Sequence, residues 1–108
     1  MECESSLAIM FVMELTYIAP VESVEEEMDA HLAWLDGYYA SGVFLASGRK
    51  VPRDGGVILA AGVSRAEVEK IAAEDPFTVA GVCAYRITEF IATKTSSHLA
   101  ELRETLPA

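Results

Sequence analysis

The hydrophobic spacing of four short stretches constrains this chain more than any single motif. From Leu7 to Tyr17, the residues Ile9, Phe11, Met13, Leu15 and Tyr17 make one unbroken apolar face at period two, the signature of a strand. The other face is mixed, with Met10 and Val12 apolar and Glu14 and Thr16 polar. Val43 to Ser47 and Val57 to Ala61 read as strands that are apolar on both faces. A long last strand runs from Val82 to Lys94.

Helical signals fall between these strands. After Ala19-Pro20, Ser23 followed by Glu26 has the form of a capping box, and Glu25 to Glu27 suit the positive end of a helix dipole. That helix is expected to reach about Ser41, with Gly42 as its stop. Gly48 to Asp54 forms a long hairpin loop, and Gly55-Gly56 opens the third strand. A second capping box, Ser64 with Glu67, starts a helix to about Ala73 that buries Val68, Ile71 and Ala72. Asp75-Pro76-Phe77 ends it, because proline pushes the preceding residue out of the helical region. A short connection with Gly81 follows. Residues 1–6 read as an N-terminal extension, 7–94 as one domain, and 95–108 as a tail with a short helix bearing Leu99, Leu102 and Leu106.

The order is strand, helix, strand, strand, helix, strand. One sheet with helices on one face satisfies it. The bare face then carries apolar side chains that need a cover, and a second copy of the same sheet is the simplest one. The expected architecture is therefore α+β: a ferredoxin-like βαββαβ protomer in a symmetric homodimer, sheet against sheet.

Composition excludes several classes of partner. The 108 residues are 52 % hydrophobic and carry a net charge of −9. Nucleic acid and anionic membrane both require a basic face, so neither is expected as a partner. Two cysteines, Cys3 and Cys83, make no disulfide framework, and a reducing cytoplasm is the expected location. The apolar run Leu7 to Met13 follows Glu2 and Glu4 and is too short to span a bilayer.

One histidine lies in the body of the chain. With His31 at the origin of a helical wheel, Val24, Met28, Leu35, Tyr38 and Gly42 fall within roughly 60° of it. Trp34 lies at the other edge of that stripe, while Glu25, Glu26, Asp29 and Asp36 lie mostly away from it. The imidazole thus points inward and requires a hydrogen-bond partner, since an unpaired buried polar group costs about 1–3 kcal/mol.

Read together, several segments resemble the YciI-like (YCII-related) family. They are His31-Leu32-Ala33-Trp34-Leu35, Gly42-Val43-Phe44-Leu45-Ala46-Ser47-Gly48, Gly55-Gly56-Val57-Ile58, Asp75-Pro76-Phe77 and Tyr85-Arg86-Ile87-Thr88-Glu89-Phe90. The resemblance covers residues from about 8 to 94 and implies a dimeric α+β barrel of ferredoxin-like protomers. It also implies an active site built on a histidine–aspartate dyad, and His31 and Asp75 hold the matching positions.

A carboxylate bonded to one imidazole nitrogen fixes the tautomer and raises the basicity of the other, which makes a general base. The same pair also describes a core histidine satisfied by an acid, with no reaction. Ser47 and Gly48 close the second strand with small residues that suit a substrate contact or a plain strand exit. Trp34, Tyr17, Tyr38, Tyr39 and Phe77 are aromatic candidates for a pocket wall beside His31 or for plain core, with Tyr17 and Trp34 the better pocket candidates. Arg49, Lys50 and Arg53 gather three of the eight basic residues in one loop, either to steer an anion or as a solvated turn. Arg86 sits mid-strand and invites pairing with Glu14. Cys83 has no evident activating base, no cluster has metal-ligand spacing, and Gly55-Gly56 lacks a phosphate-loop lysine, so neither metal nor cofactor is expected. The function these features support is cofactor-independent proton transfer, isomerisation or elimination, on a small polar or aromatic molecule. His31 acts as acid or base, Asp75 orients it, and Ser47, Gly48, Trp34 and Tyr17 hold the substrate. A non-catalytic dimer that only binds a small ligand is the alternative.

Overall fold

The computed structural model describes residues 9–102. The element order is β1 (Ile9–Tyr17), α1 (Val21–Glu26), α2 (Met28–Ala40), β2 (Phe44–Arg49), β3 (Gly55–Ala61), α3 (Arg65–Glu74), α4 (Pro76–Val79) and β4 (Cys83–Ile91), then a 3₁₀ segment, Ser97–Leu102. The four strands form one sheet in the order β2-β3-β1-β4, with every neighbouring pair antiparallel. This is the α+β, ferredoxin-like arrangement expected from the strand and helix order.

Cross-strand partners share a face of the sheet. One row joins Ser47, Ile58, Met13 and Ile87, and the next joins Arg49, Gly56, Leu15 and Tyr85. Both rows lie on the face that the helices cover, since Met13, Leu15 and Ile58 pack in one buried cluster with Val24, Leu35, Val68, Ile71 and Phe77. The opposite face carries Val12, Val57, Leu59, Thr88 and Phe90. Its far corner is not bare: Met10, Ala61 and Ala92 are buried there, with Leu45 and Leu102 packed against them. The tail therefore begins to cover the second face, a contact that apolar spacing in the tail alone did not place. Leu106 and Cys3 lie outside the described residues.

The first helical segment differs from expectation. It starts at Val21 rather than Ser23, and its N-cap, Pro20, makes no side-chain cap bond. Ser23 thus lies inside α1, and the Ser23–Glu26 box does not form. The path breaks at Glu27 (φ −101°, ψ 3°) before α2 continues. The Pro20 carbonyl accounts for the shift: it accepts from the Ser23 and Val24 N–H groups at 2.9 and 3.3 Å, so the first turn is closed upstream of Ser23. The second box is present as read, with Ser64 accepting from the Glu67 N–H and Glu67 accepting from the Ser64 N–H.

Two glycines set the geometry around the site. Gly42 (φ +84°) ends α2, where its N–H donates to the Tyr39 carbonyl and that of Val43 to the Tyr38 carbonyl. Gly55 (φ +155°) lets β3 start hard against β1, and a Cβ there would overlap the Leu15 carbonyl. Gly55→Ala is therefore expected to lower stability by at least about 2 kcal/mol in urea denaturation. Gly48→Ala meets open space and should change it little.

Candidate functional site

Asp75 occupies the elbow between α3 and α4. It ends α3 in an extended conformation, as a residue before proline must, and its side chain caps α4 by accepting from the Phe77 N–H at 2.9 Å. Pro76 takes the first helical position, where no N–H is needed. Gly81 (φ +73°) closes the same short helix, with the Gly81 N–H on the Thr78 carbonyl and the Val82 N–H on the Phe77 carbonyl. Four residues of helix are thus held at both ends. The short α4 was not foreseen: a helix of one turn has no periodicity to read.

The Asp75 carboxylate is completely buried. Its Oδ1 also accepts from His31 Nδ1 at 2.8 Å, and its Oδ2 from the Tyr85 hydroxyl at 2.6 Å. Three donors therefore satisfy an acceptor that has no water. Tyr85 is the member of this group to which sequence pattern alone gives no role. Its position two residues from Ile87 and Cys83 on the inward face of β4 was the available signal.

The His31 side chain is 10 % exposed. Phe77 stacks on it with ring centroids 3.9 Å apart and planes 7° from parallel. The Nδ1–Asp75 bond leaves Nε2 as the ring nitrogen that Asp75 does not engage. Beside the ring lies a cavity of about 260 Å³, whose wall includes His31, Leu35, Ile58 and Phe77. Tyr17, Ser47 and Gly48 line it too, together with Arg49. Ser47 Oγ is hydrogen-bonded to the Tyr39 hydroxyl at 2.6 Å, and Tyr17 accepts from Arg53 Nε at 3.4 Å.

Trp34 is a correction, for it does not line this cavity. Its ring lies 5.5 Å from His31 and packs edge-on against Tyr38 and Phe44, with Nε1 buried and without an acceptor among the described residues. A helical wheel places a residue on a stripe but does not say which neighbour fills the space in front of it. Tyr38 and Tyr39 also lie off the cavity wall. Tyr38 donates to Glu74 at 2.7 Å, a bond that raises the phenol's pKa. The Arg86–Glu14 pairing is likewise corrected. The two are opposite each other in register, but Glu14 accepts from Lys50 at 3.1 Å and Arg86 is exposed.

A family model, the YCII-related domain, matches residues 10–91. The chain belongs to that family. Among curated proteins none matches the sequence significantly. Of solved structures, the fold is similar to 5-chloro-2-hydroxyhydroquinone dehydrochlorinase (TftG) from Burkholderia phenoliruptrix in complex with 2,5-dihydroxybenzoquinone. The TM-score is 0.67 at 20 % identity, covering 77 % of this chain and 94 % of that one. SnoaB, a cofactor-independent oxygenase from Streptomyces nogalater, aligns with a TM-score of 0.48 at 14 % identity, over 82 % of this chain and 96 % of that one. Among the described residues no helix is long and apolar enough to cross a membrane, and no group of three or more histidine, cysteine and acidic side chains is placed to hold a metal.

Two groups around Asp75 give the fold a pH signature. Burial, with the Asp75 charge behind it, pushes the Cys83 thiol up to about 11 and the Tyr85 phenol well above its ordinary range. Both lose their protons at lower pH when unfolded, so unfolding releases protons in alkali. The stability they contribute is full below the ordinary thiol value and is lost as pH rises through the folded one. The urea midpoint should fall steadily between about pH 9 and about pH 11, less steeply in Cys83→Ala. Tyr85→Phe strips a buried oxygen of its donor and should cost about 1–3 kcal/mol at neutral pH.

Proposed function

We propose that this chain is a small-molecule enzyme that moves a proton with His31, without a cofactor. Asp75 holds the imidazole in one tautomer and one orientation and stabilises the imidazolium when it forms. Ser47, Gly48 and Tyr17 hold the substrate in the cavity. The observation that carries this reading is the 2.8 Å bond from a nearly buried imidazole to a fully buried carboxylate, with that imidazole in the wall of a cavity. A structural histidine needs the partner but not the space.

No side chain in the cavity wall is an activated nucleophile, which favours isomerisation or elimination over acyl transfer. The dehydrochlorinase with the similar fold acts, by its name, on a chlorinated hydroxyhydroquinone. A small polar or aromatic ring is accordingly the substrate class proposed here. The working unit is a homodimer in the cytoplasm, its sheets packed through the face that carries Val12, Val57, Leu59 and Phe90. Phe90 is 41 % exposed in the single chain, which supports a covered role for that face.

His31→Asn should abolish turnover of a substrate found by screening chlorinated and hydroxylated rings and lower the thermal midpoint, while near-ultraviolet circular dichroism and the mass by light scattering stay those of the parent. Full activity in His31→Asn overturns the mechanism, and tight binding with no turnover of any ring assigns the cavity to ligand holding instead.

A further inference from the structure

The chain has 17 acidic and 8 basic side chains, and its mean field repels anions. The cavity wall runs against that field. It contains no aspartate or glutamate, and its ionisable members are Tyr17, His31 and Arg49. Asp75 lies behind the imidazole with its oxygens already occupied by three donors.

Arg49 differs from the basic residues that follow it. Lys50 is paired with Glu14 and Asp54, and Arg53 with Glu25. Arg49 makes no ion pair among the described residues, in a chain where acids outnumber bases two to one. The β-sheet register sets its direction: Arg49, Gly56, Leu15 and Tyr85 form one row on the helix-covered face. Gly56 contributes no side chain to that row, and a Cβ there would meet the Gly48 carbonyl; Arg49, Gly56 and Leu15 all line the cavity.

We propose that the site selects a small ring bearing an ionised oxygen acid, a carboxylate or an acidic enol, and that Arg49 is the group that binds the anion. This rests on the cavity being the substrate site. A guanidinium presents paired N–H donors to two oxygens at once, so its contribution is directional as well as coulombic. The volume of about 260 Å³ suits a single substituted ring, and the apolar walls of Leu15, Leu35, Ile58 and Phe77 suit its faces.

The test titrates the full chain by calorimetry with benzoate, with its neutral isostere benzamide and with 2,5-dihydroxybenzoquinone, an acidic enol. Amide chemical shifts of Ser47, Gly48 and Gly56 locate the binding. At least one anion should bind roughly tenfold or more tightly than benzamide. Arg49→Gln should erase that preference while leaving benzamide binding unchanged, and Arg49→Lys should keep part of it. Near-ultraviolet circular dichroism checks that the variants are folded. The relative strength of the two anions tells carboxylate from enol. Equal binding of the anions and benzamide, or an unchanged preference in Arg49→Gln, overturns the proposal and leaves the proton-transfer site standing. No binding by any of the three overturns both.

Discussion

A carboxylate with no contact with water sits at the joint between two helices, and donors from three elements meet on it. His31 reaches it from α2, Tyr85 from β4 and the Phe77 amide from α4. Leaving such a group unpaired would cost several kcal/mol, so the three donors are tied to one another through it. The helix end, the sheet and the imidazole are thereby brought into a single register. Capping and site formation use the same oxygen, Oδ1, which means the elbow cannot shift without moving the ring.

The rest of the fold supplies the space in front of that ring. Glycines at the start of β3 let neighbouring backbone approach where a Cβ would collide with it, and Gly48 at the end of β2 adds no side chain to the cavity wall. Phe77, fixed by a helix held at both ends, covers one face of the imidazole. The cavity is thus a product of small residues on the sheet and of a rigid aromatic on the opposing layer.

Much of this was legible in the residues. Alternating apolar positions in β1 and the Ser64–Glu67 box state their structures locally, because period and cap are short-range properties. His31 could be placed inward for the same reason. The partner for His31 could not be found that way, since 44 positions separate it from Asp75 and only the family pattern suggested the pair. Tyr85 went unassigned because its role depends on where β4 lands beside β1. Trp34 was misplaced because stripe edges look alike on a wheel, although only one of them opens on the cavity. Ser23 looked like a cap but lies within a turn that Pro20 had already started. In each case the missing information was tertiary.

The packing of Trp34 has an optical consequence. It is the chain's single tryptophan, and its indole lies 5.5 Å from the His31 ring. A protonated imidazole at that range quenches indole emission, whereas a neutral one does so far less. The intrinsic fluorescence of the unlabelled protein therefore reports directly on the charge of one chosen side chain, with no second emitter of its kind to obscure the signal.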